Sequence, residues 1–223
     1  MAGPIPQQLL PDNSSVVGGR LRIAGCDVLG LAEQFGTPLF VYDEAHLRAR
    51  CREAVAAFGD GVAYATKSFL CSAMARLAHE EGMYLDVATG GELHVALLAE
   101  VPPDRLVLHG NNKSPAELKL ALEVGVGRIV VDSFDEIDRL EALHDADTPP
   151  IRVLVRVTPG VEAHTHEYIA TGHDDSKFGF TVSSGAADDA IEHIRNSAAF
   201  DLLGIHAHIG SCLLYTSPSP RDH

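Results

Sequence analysis

A rhythm limits this chain's possible folds more than any other feature. From residue 61, short apolar, β-branched runs recur: "GVAYAT", "MYLDVA", "DRLVLHG", "GRIVVD" and "IRVLVRV", beginning near residues 61, 83, 104, 127 and 151. The intervals of 22, 21, 23 and 24 residues suit one strand, one helix and two short loops, so the chain reads as repeated βα units. A solenoid shares such a period but also repeats residue identities, which these segments do not. The expected class is α/β, a parallel TIM-like (β/α)8 barrel. A sixth strand, "LLGIHAHIG", comes only near residue 202, after an insertion holding "VEAHTHEYIATGHDDSKFGF" and a helix from about Ser184 to Asn196. Six strands of eight make the expected barrel incomplete.

The intervening stretches carry helix signals. "SPAELKLALEVG" opens on Ser114 as N-cap, with Pro115 at the first helical position and Glu117 three residues on, and stops at Gly125. "SFDEIDRLEALH" repeats the pattern from Ser133 and places Phe134, Ile137, Leu140 and Leu143 on one face. Before the barrel, "DEAHLRARCREAVAAFG" reads as another amphipathic helix, and "GRLRIAG" as a strand whose partner lies outside the barrel. Residues 1–35 are accordingly expected to be an arm outside the barrel, 36–211 a partial barrel, and 212–223 a Ser/Pro tail foreign to the pattern.

Composition narrows the partners. The formal charge of -14 argues against nucleic acid and anionic membranes and for small molecules. No apolar stretch approaches a membrane span, and the N-terminus lacks a signal-peptide pattern, so the expected compartment is the cytoplasm. Cys26, Cys51, Cys71 and Cys212 form no C-x-x-C pair, which favours reduced thiols over a disulfide or zinc site.

Polar residues recur at one end of the expected strands. Strand parity places Ala63, Ala65 and Lys67 on one face, the small residues leaving room beneath a lysine at the strand's C-terminal end. Asp86, His109, Asp132, Arg156, His206 and His208 stand at or just beyond the corresponding ends of the later strands. Barrel active sites lie at this rim. A partly desolvated lysine can attack an aldehyde to form an imine, and carboxylate, guanidinium and imidazole groups can orient a flat charged cofactor and handle protons. "HIGS", at His208 to Ser211, is a small-residue turn able to hold a phosphate.

In order and spacing, "YATKSF", "DVATGGEL", "HGNNKS", "HTHEYIATGHDDSKFGF" and "GIHAHIGS" resemble the N-terminal part of the diaminopimelate decarboxylase family, pyridoxal-phosphate enzymes of the alanine-racemase-like fold type. The resemblance runs from about Gly18 to Ser211. Ornithine and arginine decarboxylases share the lysine, the aspartate and the H-x-G-S turn, but "HGNNKS" and "HTHEYIATG" are closer to the diaminopimelate branch. The resemblance implies pyridoxal 5'-phosphate as cofactor and Lys67 as the Schiff-base lysine. It makes Asp86 and Arg156 polar groups around cofactor and lysine, and His208 the residue packed on the pyridine ring. Gly210 and Ser211 become part of the phosphate cradle, and Lys177 a residue near the interface of a homodimer. The resemblance also assigns the arm, residues 1–35, to a separate β-sandwich domain. The implied reaction is decarboxylation of meso-2,6-diaminopimelate to L-lysine.

After "HIGS" the family continues, usually with glutamine, where this chain has Cys212 and an unrelated tail. On that ground the chain by itself is expected to be inactive. Two readings from other classes compete. A metal-dependent barrel hydrolase would use the H-x-H pair His206 and His208, with His164, His166 and His173 nearby, but the first strand offers Lys67 where such a site needs a ligand; no metal is expected. A non-catalytic pyridoxal-phosphate carrier would need neither the long insertion nor the arm. Lys113, at a helix start, is a weaker imine former than Lys67, suited to a solvated or loop-tethering role.

Overall fold

The computed structural model describes residues 5–6, 9–160 and 178–208. The chain separates into two compact units, residues 1–62 with 77–83, and residues 63–76 with 84–223.

In the first unit, β1 (Ser14–Val17), β2 (Arg20–Ile23) and β3 (Cys26–Asp27) form an antiparallel sheet in that order. The "GRLRIAG" strand thus finds partners in its immediate neighbours, Val17 facing Arg20 across a Gly18–Gly19 turn. Two helices follow, α1 (Val28–Phe35) and α2 (Glu44–Phe58). Asp27 caps α1 by accepting from the Leu29 amide, and Asp43 caps α2 by accepting from that of His46. On α2, Arg48 pairs with Glu44, Glu80 and Glu81 at 2.8 to 2.9 Å.

The second unit contains the repeat read from the sequence. Its strands are β4 (Ala63–Ala65), β5 (Tyr84–Val87), β6 (Leu106–Leu108), β7 (Arg128–Val131), β8 (Ile151–Thr158), the short β9 (Phe180–Thr181) and β10 (Phe200–Ala207). The helices between them are α3 (Ser72–Glu80), whose residues from Leu77 on belong to the first unit, α4 (Gly90–Leu98), α5 (Pro115–Val124), α6 (Phe134–Leu143) and α7 (Ala186–Asn196). The main sheet runs β4-β5-β6-β7-β8-β10, every ladder parallel, with neighbours in the sheet following one another in the chain. β9 pairs in parallel with Val157 and Thr158 of β8, beyond the point where β7 ends at Val155.

Helix faces and strand faces make one core. Leu85, Val87, Leu106, Leu108, Ile129, Val131, Val153 and Val155 from the strands are at most 1 % exposed, as are Leu93, Leu118, Ile137, Leu140 and Ile194 from the helices. Each such side chain contributes roughly 1.5 to 3 kcal/mol by leaving water. β5 to β7 have no exposed residue and β8 only Arg152, as suits parallel strands, whereas β10 alternates and leaves Leu203 and Ile205 exposed. Ser114 and Ser133 cap α5 and α6 as read, Ser114 within a full capping box. The α6 face is buried at Ile137 and Leu140, while Phe134 is 41 % exposed and stacks edge-on against Phe180, 4.9 Å between centroids.

Because every ladder is parallel and each connection a helix, the C-terminal ends of all six long-path strands lie along one rim of the sheet. Among the described residues no helix is long and apolar enough to cross a membrane.

Candidate active site

Lys67 reaches the rim differently from the way strand parity places it. The first barrel strand stops at Ala65, and Thr66–Ser68 turn as a 3-10 helix. The reason is local hydrogen bonding. The buried Thr66 hydroxyl donates to the Asp86 carbonyl at 2.8 Å, the Ser68 hydroxyl to the Ala65 carbonyl at 2.8 Å, and the Tyr64 hydroxyl to the Phe69 carbonyl at 2.6 Å. Side-chain bonds of this kind compete with the strand ladder and end it. Lys67 therefore sits on an exposed, tightly tied turn two positions beyond Ala65, the residue in register with Asp86.

Asp86 lies within β5, its Oδ2 3.2 Å from Nδ1 of His109. His109 follows β6 directly and extends its ladder by donating its amide to the Val87 carbonyl at 2.7 Å. The His109 ring meets His206 edge-on, centroids 4.6 Å apart. His206 in turn is in register with Arg156 on the adjacent strand.

Arg156 and Asp132 form a buried ion pair, Nη1 to Oδ1 at 3.0 Å, their side chains 6 % and 2 % exposed. The second Asp132 oxygen accepts the Gly179 amide at 3.0 Å. Gly179 has φ +70, and a Cβ there would stand 2.7 Å from the Arg156 carbonyl, so only glycine permits this approach. The Arg156 guanidinium lies over the Phe178 ring, 4.6 Å from its centroid.

The electrostatics tie the remaining groups together. Burial pushes the His206 pKa down to about 4, helped by the positive fields of His109 and Arg156 and opposed by Asp86. His208, just past the end of β10, is lowered as well, first by burial and then by Lys67, Arg156 and His109. Both imidazoles are thus neutral near pH 7. Of the seven residues read from the strand ends, Asp86, His109, Asp132, Arg156 and His206 are joined by contacts or register, and Lys67 and His208 are linked through the field of the Lys67 charge at His208. Gly210, Ser211 and Lys177 lie outside the described residues, as do His164, His166 and His173.

Lys113 is no competitor for Lys67. It is buried, and its Nζ donates to the Gly110 carbonyl, the Val130 carbonyl and Glu136 at 2.6 to 2.7 Å, which uses all three protons. Burial lowers its pKa and raises that of Glu136, each opposed by the partner's charge. The group of potential cation ligands found among the described residues is Asp138, Glu141 and His193, on α6 and α7, and it shares nothing with the rim.

Sequence reasoning missed Glu136, Glu92 and the second function of Glu117. Glu92 accepts the Ala88 amide at 2.6 Å, and Glu117, besides closing its capping box, accepts the Gly90 amide at 2.7 Å. The first contact is local, within the β5–α4 connection, and the second joins consecutive βα loops.

A family model described as "Pyridoxal-dependent decarboxylase, pyridoxal binding domain" matches residues 44–218. The diaminopimelate decarboxylase of Mycobacterium tuberculosis (strain ATCC 25618 / H37Rv) is 55% identical over 195 residues, 86% of this chain and 44% of that protein. That of Bacillus subtilis (strain 168) is 51% identical over 204 residues, 89% of this chain and 46% of its own. The crystal structure of diaminopimelate decarboxylase from M. jannaschii in co-complex with L-lysine superposes with a TM-score of 0.79 at 33% identity, covering 90% of this chain and 48% of that one. The chain spans less than half the length of each of these relatives.

Proposed function

The chain belongs to the pyridoxal-dependent decarboxylases, through their pyridoxal binding domain, and on that premise we propose that its protein decarboxylates meso-2,6-diaminopimelate to L-lysine with pyridoxal 5'-phosphate as cofactor. The observation that carries this reading is the meeting of an exposed lysine, a carboxylate, an anchored guanidinium and two neutral imidazoles on one rim. Diaminopimelate as substrate is favoured by the relatives that bear that name at about half identity.

The rim suits such a cofactor. Asp86 Oδ1, His109 Nε2 and His206 Nδ1 are buried and without a hydrogen-bond partner among the described residues. Buried polar atoms are otherwise nearly always satisfied, so three of them in one cluster suit a flat ligand carrying polar groups on its edge. Pyridoxal phosphate, when bound, supplies a protonated ring that takes up the electron pair left by departing carbon dioxide.

The chain's own residues divide the remaining work. Lys67 offers its amine to the cofactor's aldehyde carbon, from a turn that three side-chain hydrogen bonds hold in place. Asp86 keeps one oxygen on His109 and presents the other to the site. Arg156, its charge balanced by Asp132, is a fixed positive group whose position does not depend on ligand. His208 offers a neutral ring face, because burial and the nearby cations keep a proton off it. Gly210 and Ser211, outside the described residues, are assigned to the phosphate on the family pattern.

The active protein is a cytoplasmic homodimer in this reading, with Lys177 near the interface, residues 1–35 serving a separate β-sandwich domain, residues 36–211 the cofactor-binding part, and 212–223 neither. Since the relatives are more than twice as long as the matched stretch, we expect the chain by itself to hold the cofactor-facing half of the site without turnover. The test is carbon dioxide release and amino-acid analysis, on the chain alone and joined to the C-terminal half of the M. tuberculosis relative, with meso-2,6-diaminopimelate, ornithine and arginine offered separately. L-lysine from the joined protein alone supports the proposal; turnover of ornithine or arginine in preference would move the protein to the neighbouring branch.

A further inference from the structure

The loop between β6 and α5 is held from within by a residue that the proposed chemistry does not use. The Lys113 side chain is 1 % exposed. Its three acceptors belong to three stretches of chain: Gly110 in the loop, Val130 on β7, and Glu136 in the first turn of α6. One turn further along α6, Arg139 donates to the Lys113 carbonyl at 3.2 Å and is itself paired with Asp135 at 2.7 Å. The other flank of the loop is fixed as well. A Cβ on Gly110, which has φ +109, would lie 2.9 Å from the Ala88 carbonyl, and Glu117 links the start of α5 to the Gly90 amide.

What this clamped loop carries to the rim is His109, the residue that touches both Asp86 and His206. The Lys113 ammonium bonds the carbonyl of the very next residue, Gly110, and so holds the Gly110–Asn111 peptide plane, one residue beyond His109. A buried ion pair is a poor source of net stability, since desolvation of both charges offsets their attraction, and well-packed apolar residues of the same volume often do as well. Its directional bonds are a better account of its presence than its energy.

We propose that Lys113 is a positioning residue of the rim: with Glu136 it fixes the Gly110 backbone and so aims His109 at Asp86, on which the cofactor-facing geometry depends. The functional half of this statement rests on reading the rim as the pyridoxal site; the geometric half does not.

The experiment uses the 223-residue chain and three variants, Lys113→Met, Glu136→Gln and the double variant. Amide hydrogen exchange is read at residues 109–112, with residues 153–157 of β8 as the control for the fold. In parallel, each protein is incubated with pyridoxal phosphate, reduced with borohydride, and the label on Lys67 quantified by peptide mass spectrometry. Lys113→Met should raise exchange at 109–112 by about tenfold or more and lower the Lys67 label by about tenfold, with exchange in β8 close to the parent. The double variant, freed of a lone buried carboxylate, should regain thermal stability while loop exchange and labelling stay at the Lys113→Met level. Glu136→Gln, which keeps both carbonyl bonds of Lys113, should resemble the parent in the loop; it and the double variant decide the matter if Lys113→Met does not fold. Labelling and loop order that recover together with stability in the double variant, or that never change, would overturn the proposal. Absence of label on Lys67 in the parent would instead refute the reading of the rim, and the exchange data would still decide whether Lys113 orders the loop.

Discussion

Acid should destabilise this protein through His206, by an amount that can be isolated. In the unfolded chain the imidazole takes up its proton near 6.5, and in the fold only near 4. Between those values the unfolded state holds more protons, so stability is complete above about pH 6.5 and falls as the pH drops toward 4. Two and a half units at about 1.4 kcal/mol each give an upper bound of about 3.5 kcal/mol. The ring is only partly buried, and water screens part of the effect, which brings the share expressed by about pH 5 to ~1 kcal/mol. His109, Arg156 and His208 face the ring with positive or potentially positive charge, and Asp86 alone opposes them. The assay is urea unfolding of the parent and of His206→Gln at about pH 7 and about pH 5. The two proteins differ in one titratable group, so the difference between the two acid losses reports His206 together with its coupling to His109, His208 and Asp86. The variant should lose about 1 kcal/mol less than the parent on acidification. Equal losses, or a His206 ring resonance that titrates near its ordinary value, would refute the burial argument.

Replacing Asp132 with alanine leaves the Arg156 guanidinium buried and unpaired, and should cost about 3 to 5 kcal/mol in denaturant unfolding. Gly179→Ala forces a Cβ to within 2.7 Å of the Arg156 carbonyl at positive φ, and a loss of about 1 to 3 kcal/mol is expected by thermal unfolding. Lys67→Ala, on an exposed turn, should change stability by less than about 0.5 kcal/mol in the same assay while abolishing the pyridoxyl label at that position.

The barrel rhythm was legible because the βα units repeat the same local physics, an apolar run followed by a helix, the helix most plainly marked from the Ser114 cap to the Gly125 stop. The rim was legible for the same reason, since parallel strands put all their C-terminal ends on one side. Strand parity failed at Lys67, because three side-chain hydroxyls convert the end of the strand into a turn, and one of them, that of Thr66, bonds the Asp86 carbonyl, about twenty residues away in sequence. The partner of "GRLRIAG" could have been found: the Gly18–Gly19 pair between two alternating runs is a hairpin signal. The burial of Lys113 could not, since its acceptors at residues 130 and 136 belong to elements whose approach only the assembled sheet defines. Glu117 bridges neighbouring loops in the same way.

The central claim is that the Lys67 amine, among all the lysines of this chain, faces a pyridoxal site. Reduction with borohydride after incubation with pyridoxal phosphate, followed by peptide mapping, tests it directly. A single stoichiometric label on Lys67, lost in Lys67→Ala, is the predicted result; a label on Lys113, one scattered over surface lysines, or none would contradict it.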